Sequence, residues 1–271
     1  MSRMTLNSIT ALASQRQQLP PRMVIYGVDG IGKSTFASES PGPIFLPTED
    51  GATRIDVPQF PLAVSWSEVI ECLQVLSQQG EHDYQTLVID SIDWAQHLCV
   101  EHVVQGEFDG NTNRFDSYGA GYKALLREMR VLIQWLDHLH KRCGMGIIMI
   151  AHSTVKTINN PSGDNYDKYQ STLIDSPSTS IWGMVKEWAD IVLFMNREIM
   201  VKKDSKTSNK GKGMDTGRRL CYSAPQAAWD AKVRAGWSLP ESFELRYAEF
   251  DKHINAQTAQ KGTTKKAKGA A

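Results

Sequence analysis

Met23-Val24-Ile25-Tyr26-Gly27-Val28-Asp29-Gly30-Ile31-Gly32-Lys33-Ser34-Thr35 is the stretch that decides the fold. Its first four residues form a continuous apolar run, which suits a strand buried on both faces of a parallel sheet. Gly27 to Ser34 then fits G-x-x-x-x-G-K-S/T in full. Gly27, Gly30 and Gly32 let the backbone turn its N–H groups inward around phosphate oxygens. Lys33 places a positive charge on the β- and γ-phosphates of a nucleotide, the Ser34 hydroxyl is a Mg²⁺ ligand, and the helix beginning near Lys33 adds the positive end of its dipole. The cofactor-binding run is therefore Gly27, Val28, Asp29, Gly30, Ile31, Gly32, Lys33, Ser34 and Thr35. A Gly-rich turn that merely starts a helix is the bland alternative, and a strand before with a helix after argues against it.

Working outward, similar apolar runs recur at Pro43-Ile44-Phe45-Leu46, Thr86-Leu87-Val88-Ile89, Gly146-Ile147-Ile148-Met149-Ile150 and Asp190-Ile191-Val192-Leu193-Phe194. Helical spacing lies between them. Val69, Ile70, Leu73 and Leu76 share one face of a helix over 67–77 that Ser65 or Ser67 caps. A longer stripe from Leu125 to Leu139 ends at Cys143-Gly144. Alternation of this kind predicts an α/β fold, a mostly parallel sheet flanked by helices. Residues 105–121, 154–180 and 204–217 are too polar for core and are expected to be loops. Residues 1–20 read as a flexible N-terminal arm, 21–250 as the ATPase core, and 251–271 as a basic, disordered tail.

The 271 residues carry 30 Lys and Arg against 30 Asp and Glu, so the formal net charge is zero. That excludes a protein that coats nucleic acid by bulk charge, while leaving room for a local basic channel. No run is long and apolar enough for a membrane span or a secretory signal, which predicts a cytoplasmic protein with no membrane partner. Four scattered cysteines form no C-x-x-C pair and indicate neither zinc knuckle nor disulfide framework. His97, Cys99 and His102, or His138 and His140, lack the spacing of a helical zinc site.

Thr86-Leu87-Val88-Ile89-Asp90-Ser91 is a second buried strand ending in a carboxylate. With a phosphate loop upstream, Asp90 is expected to hold the Mg²⁺ ion or a water of its shell, although an N-cap role for the next helix is also open. The residue after it is Ser91, not Glu, so a general base must come from elsewhere. Glu49, in Thr48-Glu49-Asp50-Gly51 at the carboxyl end of the second strand, is the candidate, with Asp50 the competing choice.

These elements together resemble the RecA-like P-loop ATPases, recombinases and ring helicases. The likeness extends from about Met23 to about Trp237 and implies a RecA-like core with late antiparallel strands. Thr48-Glu49-Asp50-Gly51 resembles the T-E-G form of archaeal and eukaryotic recombinases, which implies Glu49 as the base. Ile150-Ala151-His152-Ser153 occupies the place of the γ-phosphate sensor, usually Gln; His152 departs from it but can donate a hydrogen bond, and a satisfied strand-end histidine is the alternative. Lys232 and Arg234, in Trp229-Asp230-Ala231-Lys232-Val233-Arg234, resemble the K-x-K or K-x-R pair that reaches the γ-phosphate of a neighbouring subunit. On a strand they would share one face; a solvated strand edge is the alternative. In overall look the chain is similar to the small phage Sak-type single-strand annealing recombinases, sharing T-L-V-I-D-S-x-D-W, I-A-H and E-W-A-D.

That resemblance implies ATP and Mg²⁺ as cofactors, single-stranded DNA and further copies of this chain as partners, and a single-stranded-DNA-binding protein as a further partner. DNA would meet the loop after the Asp90 strand and its helix and the loop after the sensor strand, through Arg114, Tyr118, Lys156, Tyr166, Lys168 and Tyr169. Asp109, Asp116, Asp164 and Asp167 lie in the same stretches, so neither is a basic patch. Two rival readings share the core: a helicase or helicase loader, and a nucleotide-dependent assembly switch with no DNA role.

Overall fold

Unbroken apolar runs become the parallel strands that build the molecule from its centre outward. The computed structural model describes residues 19–51, 55–78, 82–176, 178–203 and 211–255. Of the expected N-terminal arm only Leu19 and Pro20 fall within it, and residues 256–271 of the expected tail lie outside. The strands β1 (Arg22–Gly27), β2 (Pro43–Pro47), β3 (Thr86–Asp90), β4 (Gly146–Ile158) and β6 (Ile191–Lys203) pair in parallel in the order β2-β3-β4-β1-β6. Residues of β1 and β3 are buried almost throughout because helices cover both faces.

Later strands run antiparallel to this set. β7 (Gly211–Tyr222) pairs with β6, β9 (Ser242–Glu244) with β7, and β8 (Lys232–Val233) with the start of β6. The expected fold class, a mostly parallel α/β core with late antiparallel strands, is what the structure shows.

The helices are α1 (Lys33–Ser38), α2 (Trp66–Leu76), α3 (Ile92–Phe108), α4 (Thr112–Asp116), α5 (Ala120–Arg142) and α6 (Ile181–Trp188), with α7 over residues 247–255. Ser65 caps α2, its hydroxyl accepting from Glu68 N–H at 3.3 Å. The apolar stripe of α5 buries Leu125, Met129, Leu132, Leu136 and Leu139 against α2, α3 and β4. Phe250 and Ile254 of α7 are buried against Phe36 and its neighbours, so the packed core continues a few residues past 250.

Two of the expected loops contain regular structure. Within 105–121, α3 runs on to Phe108, Asp109 ends it in a left-handed conformation, and Asn111 caps α4 by accepting from Arg114 N–H. The apolar anchor there is Phe115, 5% exposed between Phe108 and Tyr122. Within 154–180, β4 continues to Ile158 and returns as β5 (Tyr166–Ser171). That hairpin is polar because it extends beyond the core, and polarity hid it in the sequence. Of the third stretch, 211–217 belong to β7 and 204–210 lie outside the described residues.

Candidate phosphate-binding site

β1 ends at Gly27 against the backbone of β6, and a Cβ at this position would sit 2.1 Å from the Met195 carbonyl oxygen. Glycine is therefore demanded by sheet packing as well as by the turn. Gly32, at φ +111°, occupies backbone space that other residues avoid and leads directly into α1. The Lys33 ammonium folds back onto the carbonyls of Gly27 at 3.0 Å and Val28 at 3.2 Å. Burial holds its pKa below the ordinary value, against the pull of Asp29, Asp90, Asp93 and Glu49.

The strand order determines what faces this loop. β4 lies between β1 and β3, so His152, opposite Gly27 in the register, stands between the glycine loop and Asp90. At the end of β2, Thr48 is clamped to β3 by its N–H on Asp90 O at 2.9 Å and its hydroxyl on Ser91 O at 2.6 Å. Glu49 is thereby turned inward while Asp50 is exposed. The result is a cavity of about 350 Å³ with residues 29–35 on one side and Glu49, Gly51, Asp90 and His152 on the other.

Burial pushes the carboxyls of Glu49 and Asp90 upward; His152 offsets this at Glu49, and a hydrogen bond from the Ser34 hydroxyl offsets it at Asp90. Ser34 and Asp90 offer adjacent hard oxygen donors beside the loop, a donor set that fits Mg²⁺. His152 presents Nε2 to the cavity, 3.8 Å from Glu49 Oε1 and 3.9 Å from Asp29 Oδ1. Of the residues singled out in the sequence, the structure brings together Lys33, Ser34, Thr35, Glu49, Asp90 and His152.

Residues 19–235 match the family of AAA domains. This chain belongs to the AAA-domain family. AAA domains are nucleotide-binding P-loop ATPase domains, and the glycine loop of this one opens onto the cavity at the carboxyl ends of β1, β2, β3 and β4. Among curated proteins it is 28% identical, over 141 residues, to the SPbeta prophage-derived uncharacterized protein YorG of Bacillus subtilis (strain 168). That match covers 48% of this chain and 40% of the relative, so the AAA-domain chain spans well under half the length of that relative.

Other singled-out residues of the AAA-domain protein lie apart from the cavity. Lys232 and Arg234 are on or beside β8, level with the start of β6, at the opposite end of the sheet from the phosphate loop. Lys232 Nζ donates to the carbonyls of Lys186, Glu187 and Ala189 at 2.7, 3.1 and 2.8 Å, closing the C-terminus of α6. Arg234 donates to Glu187 O at 2.6 Å and pairs with Asp190 at 3.1 Å. Reaching a neighbour's phosphate would require both side chains to give up these bonds.

Arg114 pairs with Asp109 at 2.7 Å on α4. Tyr118 lies in the turn before α5, and its side chain is outside the described residues. Lys156, Tyr166, Lys168 and Tyr169 share the β4–β5 hairpin, but Lys168 is paired with Asp230 at 2.7 Å and the Tyr169 ring packs on Phe194. Lys156 and Tyr166 remain partly exposed.

Two residues of the cavity's surround had not been assigned from the sequence. Asp93, on the first turn of α3, is bonded to His152; its place three residues after Asp90 was the available signal. Arg219 of β7 donates to Ile31 O at 3.2 Å beside Gly32, a contact set by the β6–β7 register that no local pattern announces.

Proposed function

We propose that this chain is an ATP- and Mg²⁺-dependent recombinase of phage type, which binds single-stranded DNA and promotes annealing or pairing of complementary strands. Glu49 orients the attacking water, Lys33 and His152 hold the terminal phosphate, and Ser34 and Asp90 supply the metal's protein ligands. One observation carries the proposal: His152 lies on β4, and the same strand continues without a break into the hairpin that bears Lys156 and Tyr166. A ligand on the hairpin and a phosphate at His152 thus pull on one strand. The prophage origin of the Bacillus subtilis relative supports a phage setting. Self-association and a single-stranded-DNA-binding protein complete the proposed partners.

The in-chain commitments of Lys168, Tyr169, Arg114 and Phe115 favour a second reading, a nucleotide-dependent assembly switch. ATP turnover measured with and without single-stranded DNA, beside annealing of complementary strands over a salt series, separates the two. The recombinase reading expects DNA-stimulated turnover and an affinity that falls as salt rises. Turnover indifferent to DNA, with no annealing, overturns it.

A further inference from the structure

We propose that Asp93 is the positioning residue for His152: it takes the ring's Nδ1–H, turns Nε2 onto the phosphate cavity, and leaves the imidazolium as the form that donates to a terminal phosphate. This rests on the cavity being an ATPase site.

Both oxygens of Asp93 are engaged by one residue. Oδ1 accepts the His152 backbone N–H at 3.2 Å, and Oδ2 meets Nδ1 at 2.7 Å. Asp93 is 5% exposed and fixed in the first turn of α3, so the ring is held at two points by a rigid element. Burial would by itself raise the Asp93 carboxyl, but the hydrogen bond from His152 brings it below the usual range, and it is a carboxylate. A carboxylate only accepts, so Nδ1 carries the hydrogen.

Neutral imidazole then has a lone pair on Nε2, the nitrogen that faces the cavity. A lone pair repels a phosphate oxygen. Donation to that oxygen needs a second proton on the ring, and with it comes a positive charge on the side of the cavity opposite Lys33. The groups facing the ring are Asp93 from α3, Glu49 after β2, Asp29 from the glycine loop and Lys33 from α1, with Asp90 of β3 also feeling its field. The bond to Asp93 raises the pKa of His152, while burial and Lys33 oppose it. A terminal phosphate at Nε2 would add negative charge and favour the cation further.

The alternative for the same dyad is a neutral His152 acting as base, and the pH profile has opposite signs for the two. A donor imidazolium loses activity as pH rises through its titration; a base loses activity as pH falls. For the wild type we expect kcat to decline on the alkaline side. Asp93→Asn keeps the shape and removes the charge, so the decline should move down by about one pH unit with KM for ATP little changed. His152→Gln keeps a donor that does not titrate, so the decline should vanish, and adding Asp93→Asn to it should cause no further shift.

Nitrogen-15 NMR of the histidine ring gives a readout independent of turnover. In the full chain without nucleotide, His152 should show the Nδ1–H tautomer when neutral, and its midpoint should rise on adding Mg-ADP with fluoroaluminate. An Nε2–H neutral tautomer, or an Asp93→Asn protein that is folded with midpoint and alkaline decline unmoved, overturns the proposal. A wild type that binds nucleotide without hydrolysing it would sink the ATPase reading alone, and the NMR would still decide the role of Asp93.

Discussion

Lys33 illustrates how a single residue can be bound and ready at once. Its ammonium donates to two loop carbonyls, those of Gly27 and Val28, and burial disfavours the charge there. A terminal phosphate replaces neutral acceptors by charged ones, which are roughly twice as strong. Lys33→Ala should therefore leave melting nearly unchanged while turnover falls by about 10²-fold or more, as measured by phosphate release and by calorimetric nucleotide binding. Unchanged nucleotide affinity and turnover would remove the site. Asp190 gives a prediction of the opposite kind. Burial works against its charged form, but bonds from Arg22 win and its pKa lies below the ordinary value, as that of Asp137 does under Lys141, Trp188 and Arg22. Folding therefore favours these carboxylates over their unfolded counterparts, a contribution complete above the unfolded pKa and lost as pH falls through the lowered folded one. Asp190→Asn should melt lower than wild type at neutral pH, and the gap should close below about pH 4.

At the level of elements, Asp230 joins parts far apart in the chain. Its carboxylate takes Lys168 of β5, Lys186 and Trp182 of α6, and its backbone is bonded on both sides by the Tyr26 hydroxyl of β1. Asp230→Ala should cost about 1.5–3 kcal/mol and should speed amide exchange across β5 before it affects β1 or β3. Slower or equal exchange in β5 would mean that the hairpin is held by its own ladder. These elements also show what a sequence can and cannot reveal. β1, β3 and the first halves of β4 and β6 were legible because burial on both faces leaves no freedom in residue type. The outer halves of β4 and β6, together with β5, carry polar residues that pair with one another outside the core, so apolar runs stopped short of them. Glu49 and Asp90 could be read because they end buried strands at the edge where ligands bind. Asp93 carried only its place three residues after Asp90, and Arg219 no local signal, since their value comes from contacts to residues 59 and 188 positions away.

For the molecule as a whole, the two ends of the sheet have separate tasks. The candidate phosphate site is at the carboxyl ends, while at the amino ends Arg22, Asp137, Asp190, Lys232 and Arg234 tie β1, α5, α6 and β8 together. Lys232→Ala should lower the Tm by several degrees through the loss of charged bonds to the end of α6. If Lys232 serves only its own chain, Lys232→Ala leaves the dependence of turnover per folded molecule on protein concentration unchanged. A loss of concentration-dependent turnover without a fall in Tm would instead assign it to a neighbour. At the other end, β1 stops at Gly27 while the strands on either side, β4 and β6, run on for several residues and fold back as hairpins. The candidate phosphate site thus lies where the sheet edge steps down between two longer strands. A polymer bound across both hairpins would roof that step, and product would then depart slowly whatever the speed of the bond cleavage beneath it.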